Sequence, residues 1–266
     1  MSGLFTTALL RRVLALFLLF GTTACSNVQL GYNFADTFSL YYLDSYLDLD
    51  SEQERQASAG LQRLFAWHRQ HELPVYNKEL ARAQQLVAAE LTLKDVQDIN
   101  EFMRASLERT SLQASPMLAE LMLSLNSEQV IYLRQQLDKS NIEFSEENLA
   151  GTQIQQQQQR YALMLEQFED WFGPLDAQQL ALLRVANADW PVKNQFWYTE
   201  RLIRQQEMLA LIDFAVQQKP TQAQMVERLQ QYILGFERDR SEERQAVIER
   251  SREHAMRLIV ALAKAG

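Results

Sequence analysis

Four groups of residues in this chain have types and spacings that could do chemistry. The first is Cys25, the only cysteine, which follows Gly21-Thr22-Thr23-Ala24 and, before them, Arg11-Arg12 and the apolar run Val13 to Phe20. A thiol is a nucleophile and an acylation site. A basic patch, a short apolar core and small residues ahead of a cut form a secretory leader. That apolar run is far shorter than the roughly 20 residues a membrane-spanning helix needs. The second group is His68-x-x-His71-Glu72, where two imidazoles rise from one side of a helix. A metal site needs at least three ligands, and the one other histidine is His254, so no metal ligand is nominated. The third is the acidic run Asp44, Asp48, Asp50, Glu52 and Glu54. It lacks the glycine and the closing glutamate of a calcium loop, and acids at a helix start already complement the backbone dipole.

The fourth group is the densest. Trp190-Pro191 and Phe196-Trp197-Tyr198 precede Glu200, Arg201 and Arg204. Aromatics and arginine dominate binding hot spots, so Trp197, Tyr198, Glu200, Arg201 and Arg204 are the candidate binding residues. The competing expectation, and the one preferred, is a packed corner where helices meet, with Arg201 paired to Glu200 or another acid. Trp197 and Arg201 are four apart on a helix, so the guanidinium could stack on the indole. No nucleophile elbow, phosphate loop or CxxC pair occurs. No catalytic residue and no cofactor is assigned.

A cysteine directly after small residues resembles the lipobox of bacterial lipoproteins, with Thr22 standing where that motif has Leu. The resemblance implies cleavage before Cys25 and acylation of its thiol. Ordinary cleavage after Ala24 would instead release a soluble periplasmic protein with a free thiol. Lipidation is preferred, because an exposed lone thiol is an oxidation liability. Ser26 after the cysteine implies, by the same likeness, the outer membrane and a periplasm-facing body.

The elements that carry these residues are helices. Glycine (8) and proline (5) are scarce, and Gln, Leu, Glu, Ala and Arg abound. No sustained alternation of β-branched residues occurs. The expectation is an all-α, irregular bundle of about nine or ten helices. Residues 1–24 read as signal peptide, 25–33 as a lipidated tether and 34–266 as the helical domain, which could subdivide near 150. The leader holds Arg11 and Arg12 and no acid, so the net charge moves from −8 for the whole chain to −10 from Cys25 onward. Such acidity argues against nucleic acid as a partner and leaves the anchor as the membrane contact.

Phe38, Tyr41, Tyr42, Tyr46 and Leu49 recur at roughly helical spacing. Ser51 to Glu54 fits a capping box, opening a helix that buries Ala57, Leu61, Leu64, Phe65 and His68. Pro74 breaks that helix and restarts a run through Leu80, Ala83, Leu86 and Val87. Thr92, Asn126, Asp176 and Thr221 each stand as an N-cap four residues before an apolar residue, at unequal intervals that rule out a solenoid. Ser115-Pro116 predicts a further short helix. Gln153 to Gln159 reads as the polar face of a helix through Tyr161, Leu165, Phe168 and Phe172. Met208 to Val216, apolar all round but for Asp213, predicts the most buried helix, with Leu209 and Ile212 as core residues. Ser241 to Ala265 reads as a closing amphipathic helix.

The segment Cys25-Ser26-Asn27-Val28-Gln29-Leu30-Gly31-Tyr32-Asn33-Phe34-Ala35-Asp36-Thr37 resembles the opening of an uncharacterised bacterial lipoprotein family, one of the domain-of-unknown-function groups. Tyr46 to Asp50, Trp67-His68-Arg69, Glu72-Leu73-Pro74, and Trp197-Tyr198 with Glu200-Arg201 and Arg204-Gln205 are similar too. The likeness implies a lipidated, all-helical envelope protein and brings no activity, catalytic residue or cofactor. Helix starts such as Leu91-Thr92 and Leu125-Asn126 also resemble those of small periplasmic helical chaperones. The leading expectation is therefore a lipid-anchored protein that binds other envelope proteins. A chaperone-like or ligand-binding protein is the alternative, and a periplasmic hydrolase comes third.

Overall fold

The computed structural model describes residues 31–266. From Ala35 to Ala265 the chain forms ten helices: α1 (Ala35–Leu47), α2 (Ser51–His71), α3 (Leu73–Ala88), α4 (Leu93–Ser124), α5 (Ser127–Asn148), α6 (Gln153–Phe172), α7 (Ala177–Ala188), α8 (Asn194–Gln218), α9 (Gln222–Arg238) and α10 (Glu242–Ala265). The fold is an all-α multi-helix bundle, and no strand occurs among the described residues.

The start signals did most of this work. Thr92, Asn126, Asp176 and Thr221 each accept the N3 backbone N–H, while the N3 side chain reaches back to the cap. At α2 the reading is off by one. Asp50, not Ser51, is the N-cap, and Gln53, not Glu54, closes the box. The reason is tertiary. Gln53 donates to the Ser124 carbonyl at 2.8 Å, and Gln53 and Gln129 exchange hydrogen bonds at 3.1 and 2.6 Å. The caps of α2 and α5 are thus zipped together in a buried polar contact that Glu54, outside it, cannot make.

Ser115-Pro116 does not start a helix; Pro116 lies inside the single 32-residue α4. Proline offers no N–H to the carbonyl four residues back, which is Leu112. The Ser115 hydroxyl donates to that carbonyl at 2.7 Å and takes a bond from Gln230 Nε2 at 3.2 Å. The local defect is filled, so the helix continues.

At about 48 Å, α4 is the spine, touching α2, α3, α8, α9 and α10. It is also the most buried helix, with eight buried residues including Ser106, Ala114, Ser115 and Ala119. The expectation for Met208–Val216 was wrong: α8 buries only Glu200, Ile212 and Ala215, and Leu209 is half-buried. Small residues let neighbours approach α4 closely, which a count of apolar residues does not register. Gly60 of α2 shows the same effect, since a Cβ there would overlap the Met117 side chain.

The main core joins α1, α2, α4, α5, α8 and α9 around Ala119, Leu133, Ile212, Met225 and Leu229. A second core joins α6, α7 and α10 through Phe168, Leu183, Leu258 and Leu262. There the capping Gln179 of α7 also donates to the Leu262 carbonyl at 3.0 Å, satisfying the end of α10. A small third cluster of Leu91, Val96 and Met256 links α4 to α10. Helix α3 has no buried residue; Leu80 and Val87 face outward, and only Leu86 of that run meets a core.

Candidate functional site

Cys25 lies outside the described residues. The first side chain of its neighbourhood that the structure describes is Tyr32, whose hydroxyl bonds His68 Nδ1 at 2.8 Å while its ring meets Phe65 edge-on. The end of the expected tether is thereby pinned to α2. Burial lowers the His68 pKa against the opposing pull of the Glu72 charge. His71 instead bonds the Trp67 carbonyl at 3.0 Å and stacks on that indole. His254 bonds the Ala186 carbonyl at 2.9 Å. The three imidazoles are thus spent separately, and among the described residues no group of three or more His, Cys, Asp or Glu could hold a metal ion.

The acidic run is likewise distributed. Asp50 caps α2, Asp44 accepts from the Leu49 backbone N–H at 2.9 Å, and Glu52 pairs with Arg55. Glu72, read in the sequence only beside the two histidines, has partners that the sequence did not reveal. Nearly fully buried between α2 and α3, it accepts from Arg109 at 2.9 and 3.0 Å and from the Ser106 hydroxyl. The Arg109 bonds hold its carboxyl below the ordinary glutamate value despite burial.

Four of the five residues at the start of α8 point to three different neighbours, and Trp197 meets a residue of its own helix. Glu200 is buried and faces the α9–α10 turn and the first turn of α10, where Arg240 Nε lies at 3.4 Å, Arg244 Nη2 at 3.0 Å and Arg244 Nε closer still. Burial alone would raise its pKa; the hydrogen bonds from Arg244 and the charges of Arg244, Arg240 and Arg204 outweigh that and hold it low. Arg201 turns to α5, donating to Asn141 and Ser140 at 2.7 Å each, with its guanidinium 5.5 Å from the Phe144 ring centre. Tyr198 stacks on the same Phe144 ring. Arg204 turns to α9, bonded to Glu207 at 2.7 Å and to the Phe236 carbonyl, over the Phe236 ring at 4.2 Å. Trp197 meets Phe196 edge-on and is 37% exposed.

Two details of the expectation fail. Arg201 pairs with one amide and one hydroxyl, not with an acid, and its aromatic partner is Phe144, not Trp197. Residues 200 and 201 lie about 100° apart around a helix axis, so they cannot share a partner easily. The polar heads of this cluster are used inside a junction of α5, α8, α9 and α10.

The least satisfied surface is on α1. Leu40, Leu43, Tyr46 and Leu47 pack into the main core. On the opposite side, Phe34, Phe38, Tyr41 and Tyr42 are exposed by 50, 61, 74 and 63%. They fall at i, i+4, i+7 and i+8, so they form one stripe. The acids Asp36 and Asp44 lie off that stripe, which therefore carries no charge. Phe38 and Tyr42 wall an apolar groove of about 410 Å³, whose floor is Leu61, Leu64, Met117 and Leu118. The sequence carried a signal for this face: α1 has apolar residues on both sides, more than one core contact can use.

Among its described residues the molecule is thus an all-helical bundle in which α1 carries an exposed aromatic face, and no helix is long and apolar enough to cross a membrane. The chain belongs to a family of unknown function, DUF6279, whose model matches residues 45–243. That span holds α8 and most of the main core, and begins just after the exposed stripe. No curated protein and no solved structure matches the chain.

Proposed function

We propose that this protein is lipid-anchored through Cys25, faces the periplasm from the outer membrane, and works by binding another envelope protein through the aromatic stripe of α1. The observation that carries the reading is the stripe itself. Phe34, Phe38, Tyr41 and Tyr42 line one uncharged helix face beside an open apolar groove. Burying one such side chain contributes about 1.5–3 kcal/mol. Tyrosine and phenylalanine are enriched at interface centres, where a groove beside the stripe accepts a partner's anchor residue. Contiguous apolar surface of this kind marks an interaction site on a protein of this size.

The leader pattern supports the location. The expected tether ends where α1 begins, so the stripe would sit within a few nanometres of the bilayer, at most about 3.5 Å per residue from Cys25. Three acyl chains, each adding about 0.8 kcal/mol per buried CH₂, would hold the protein firmly. Cys25→Ser should abolish incorporation of a labelled lipid precursor and shift the protein out of the outer-membrane fraction. Undiminished labelling of that variant would remove the anchor from this reading.

A further inference from the structure

Tyr32 stands ahead of α1 and closes a small aromatic box on α2. Its ring meets Phe65 edge-on and lies 5.8 Å from the His68 ring, and its hydroxyl is 2.8 Å from His68 Nδ1. Tyr76 of α3 meets the same imidazole edge-on at 5.5 Å and is backed by Phe102 of α4. Phe65, Tyr76 and Phe102 belong to α2, α3 and α4, which pack on one another. Tyr32 is carried instead by the short segment that leads into α1.

This box suits a neutral imidazole and not an imidazolium. In the neutral ring Nδ1 can accept the Tyr32 hydroxyl proton, whereas in the charged ring both nitrogens donate. Rings that keep water from the imidazole also raise the cost of charging it. Two charges act on it from its own helix, Glu72 drawing a proton and Arg69 repelling one. Glu72 is already committed to Arg109 and Ser106 of α4. The titratable groups at the ring itself are the phenols of Tyr32 and Tyr76, and burial raises the Tyr32 value, so it stays a neutral donor. Burial outweighs Glu72, and the His68 pKa lies below its ordinary 6.5. A protonated His68 is hydrated at least cost by lifting Tyr32, because the other rings are built into packed helices. We propose that Tyr32 and His68 form an acid-released latch that holds residues 31–34 against α2 at neutral pH and so sets how the Phe34 end of the α1 stripe is presented. The closed latch takes up the proton less readily than the open one. It is therefore at full strength above 6.5 and weakens as pH falls through the lowered value. Histidine protonation then acts on a segment with two positions. The latch requires neither the anchor at Cys25 nor a protein partner on the stripe.

The test is hydroxyl-radical footprinting of the full chain in mild detergent. Oxidation of Tyr32 is read by mass spectrometry from about pH 7.5 down to about pH 5, a span that brackets histidine titration. It should rise severalfold with a midpoint below 6.5, while half-buried Tyr46 stays constant. His68→Asn keeps an acceptor oxygen near the Nδ1 position and cannot take up a proton, so its Tyr32 signal should be the same at both ends of the range. His71→Asn, about one turn along the helix, should leave the rise intact. A flat Tyr32 profile, a midpoint above that ordinary value, or a rise shared by Tyr46 would overturn the latch. So would a rise that persists in His68→Asn or vanishes in His71→Asn. Oxidation that falls in acid would overturn it too, since attraction between the rings and the imidazolium would then be holding Tyr32 in place.

Discussion

Removing Glu200 should be among the most damaging single changes on α8, although its neighbours look like a binding surface in the sequence. Its carboxylate accepts three guanidinium N–H bonds, two from Arg244 and one from Arg240. The Arg240 side chain is 8% exposed, and its Nη1 already lacks a partner. Glu200→Ala would leave that cation buried without its acid, and breaking a buried pair in this way costs about 3–5 kcal/mol. Arg244 is less enclosed and can turn to water, which sets the expectation near the lower end, about 3 kcal/mol. For a chain of this size that is a fall in Tm of about 6–12 °C. Trp197→Ala, on a side chain partly in solvent, should cost about 1–2 kcal/mol, well under the figure for a fully buried indole. The assay is urea and thermal melting followed by far-UV circular dichroism. The folded Glu200 carboxyl titrates below its unfolded value, so its contribution is complete above the ordinary glutamate pKa and is lost as pH falls through the lower folded one. The gap between wild type and Glu200→Ala should therefore narrow in acid. A cost below about 1 kcal/mol, or a gap undiminished well below the carboxylate range, would refute a structural junction and return this cluster to candidacy as a binding site.

Ser115→Ala should destabilise by about 1–3 kcal/mol, because the Leu112 carbonyl then has neither the proline nor the hydroxyl to pair with; an unchanged urea midpoint would show that α4 does not need this bond. Ile212→Ala should cost about 2–5 kcal/mol and Leu209→Ala less than half as much, since only Ile212 is buried, and equal costs in parallel melts would contradict the packing of α8. Glu72→Gln should weaken the α2–α3–α4 contact at neutral pH and matter least in acid. The sign follows from the depressed carboxyl of Glu72, whose contribution is lost as pH falls through its folded value; a variant gap that grows toward acid would reverse that sign.

Much of the helix order was legible because it is written in local chemistry. The capping residues Thr92, Asn126, Asp176 and Thr221 each need only the next three residues to act, so four starts could be read directly. Of the two misreadings at helix boundaries, one came from a contact beyond that range and the other from a local side-chain bond. Asp50 wins over Ser51 because Gln53 meets Gln129, 76 residues away, and Pro116 is tolerated because Ser115 covers the carbonyl it abandons. Burial was less legible than helicity. A run such as Met208–Val216 has apolar residues on every side, but α8 has close neighbours on only some of them. The cluster at Trp197 to Arg204 was visible as a cluster, whereas the division of its side chains among α5, α9 and α10 depends on helix directions that the sequence does not state. The α1 stripe was half legible, since Phe38, Tyr41, Tyr42 and Tyr46 share a spacing, and only the packing separates inward Tyr46 from the three that face out.

The central claim is that the α1 face meets a partner in the envelope, and photo-crosslinking in living cells tests it most directly. A benzophenone amino acid at Tyr41 should yield one discrete protein adduct, absent when the same residue is placed at Glu253, an exposed position on α10. Recovery of the adduct should fall sharply when Phe38→Ser is added, with the fold unchanged by circular dichroism. Adducts to lipid alone, to a second copy of the chain, or equally at both positions would contradict a protein partner on this helix.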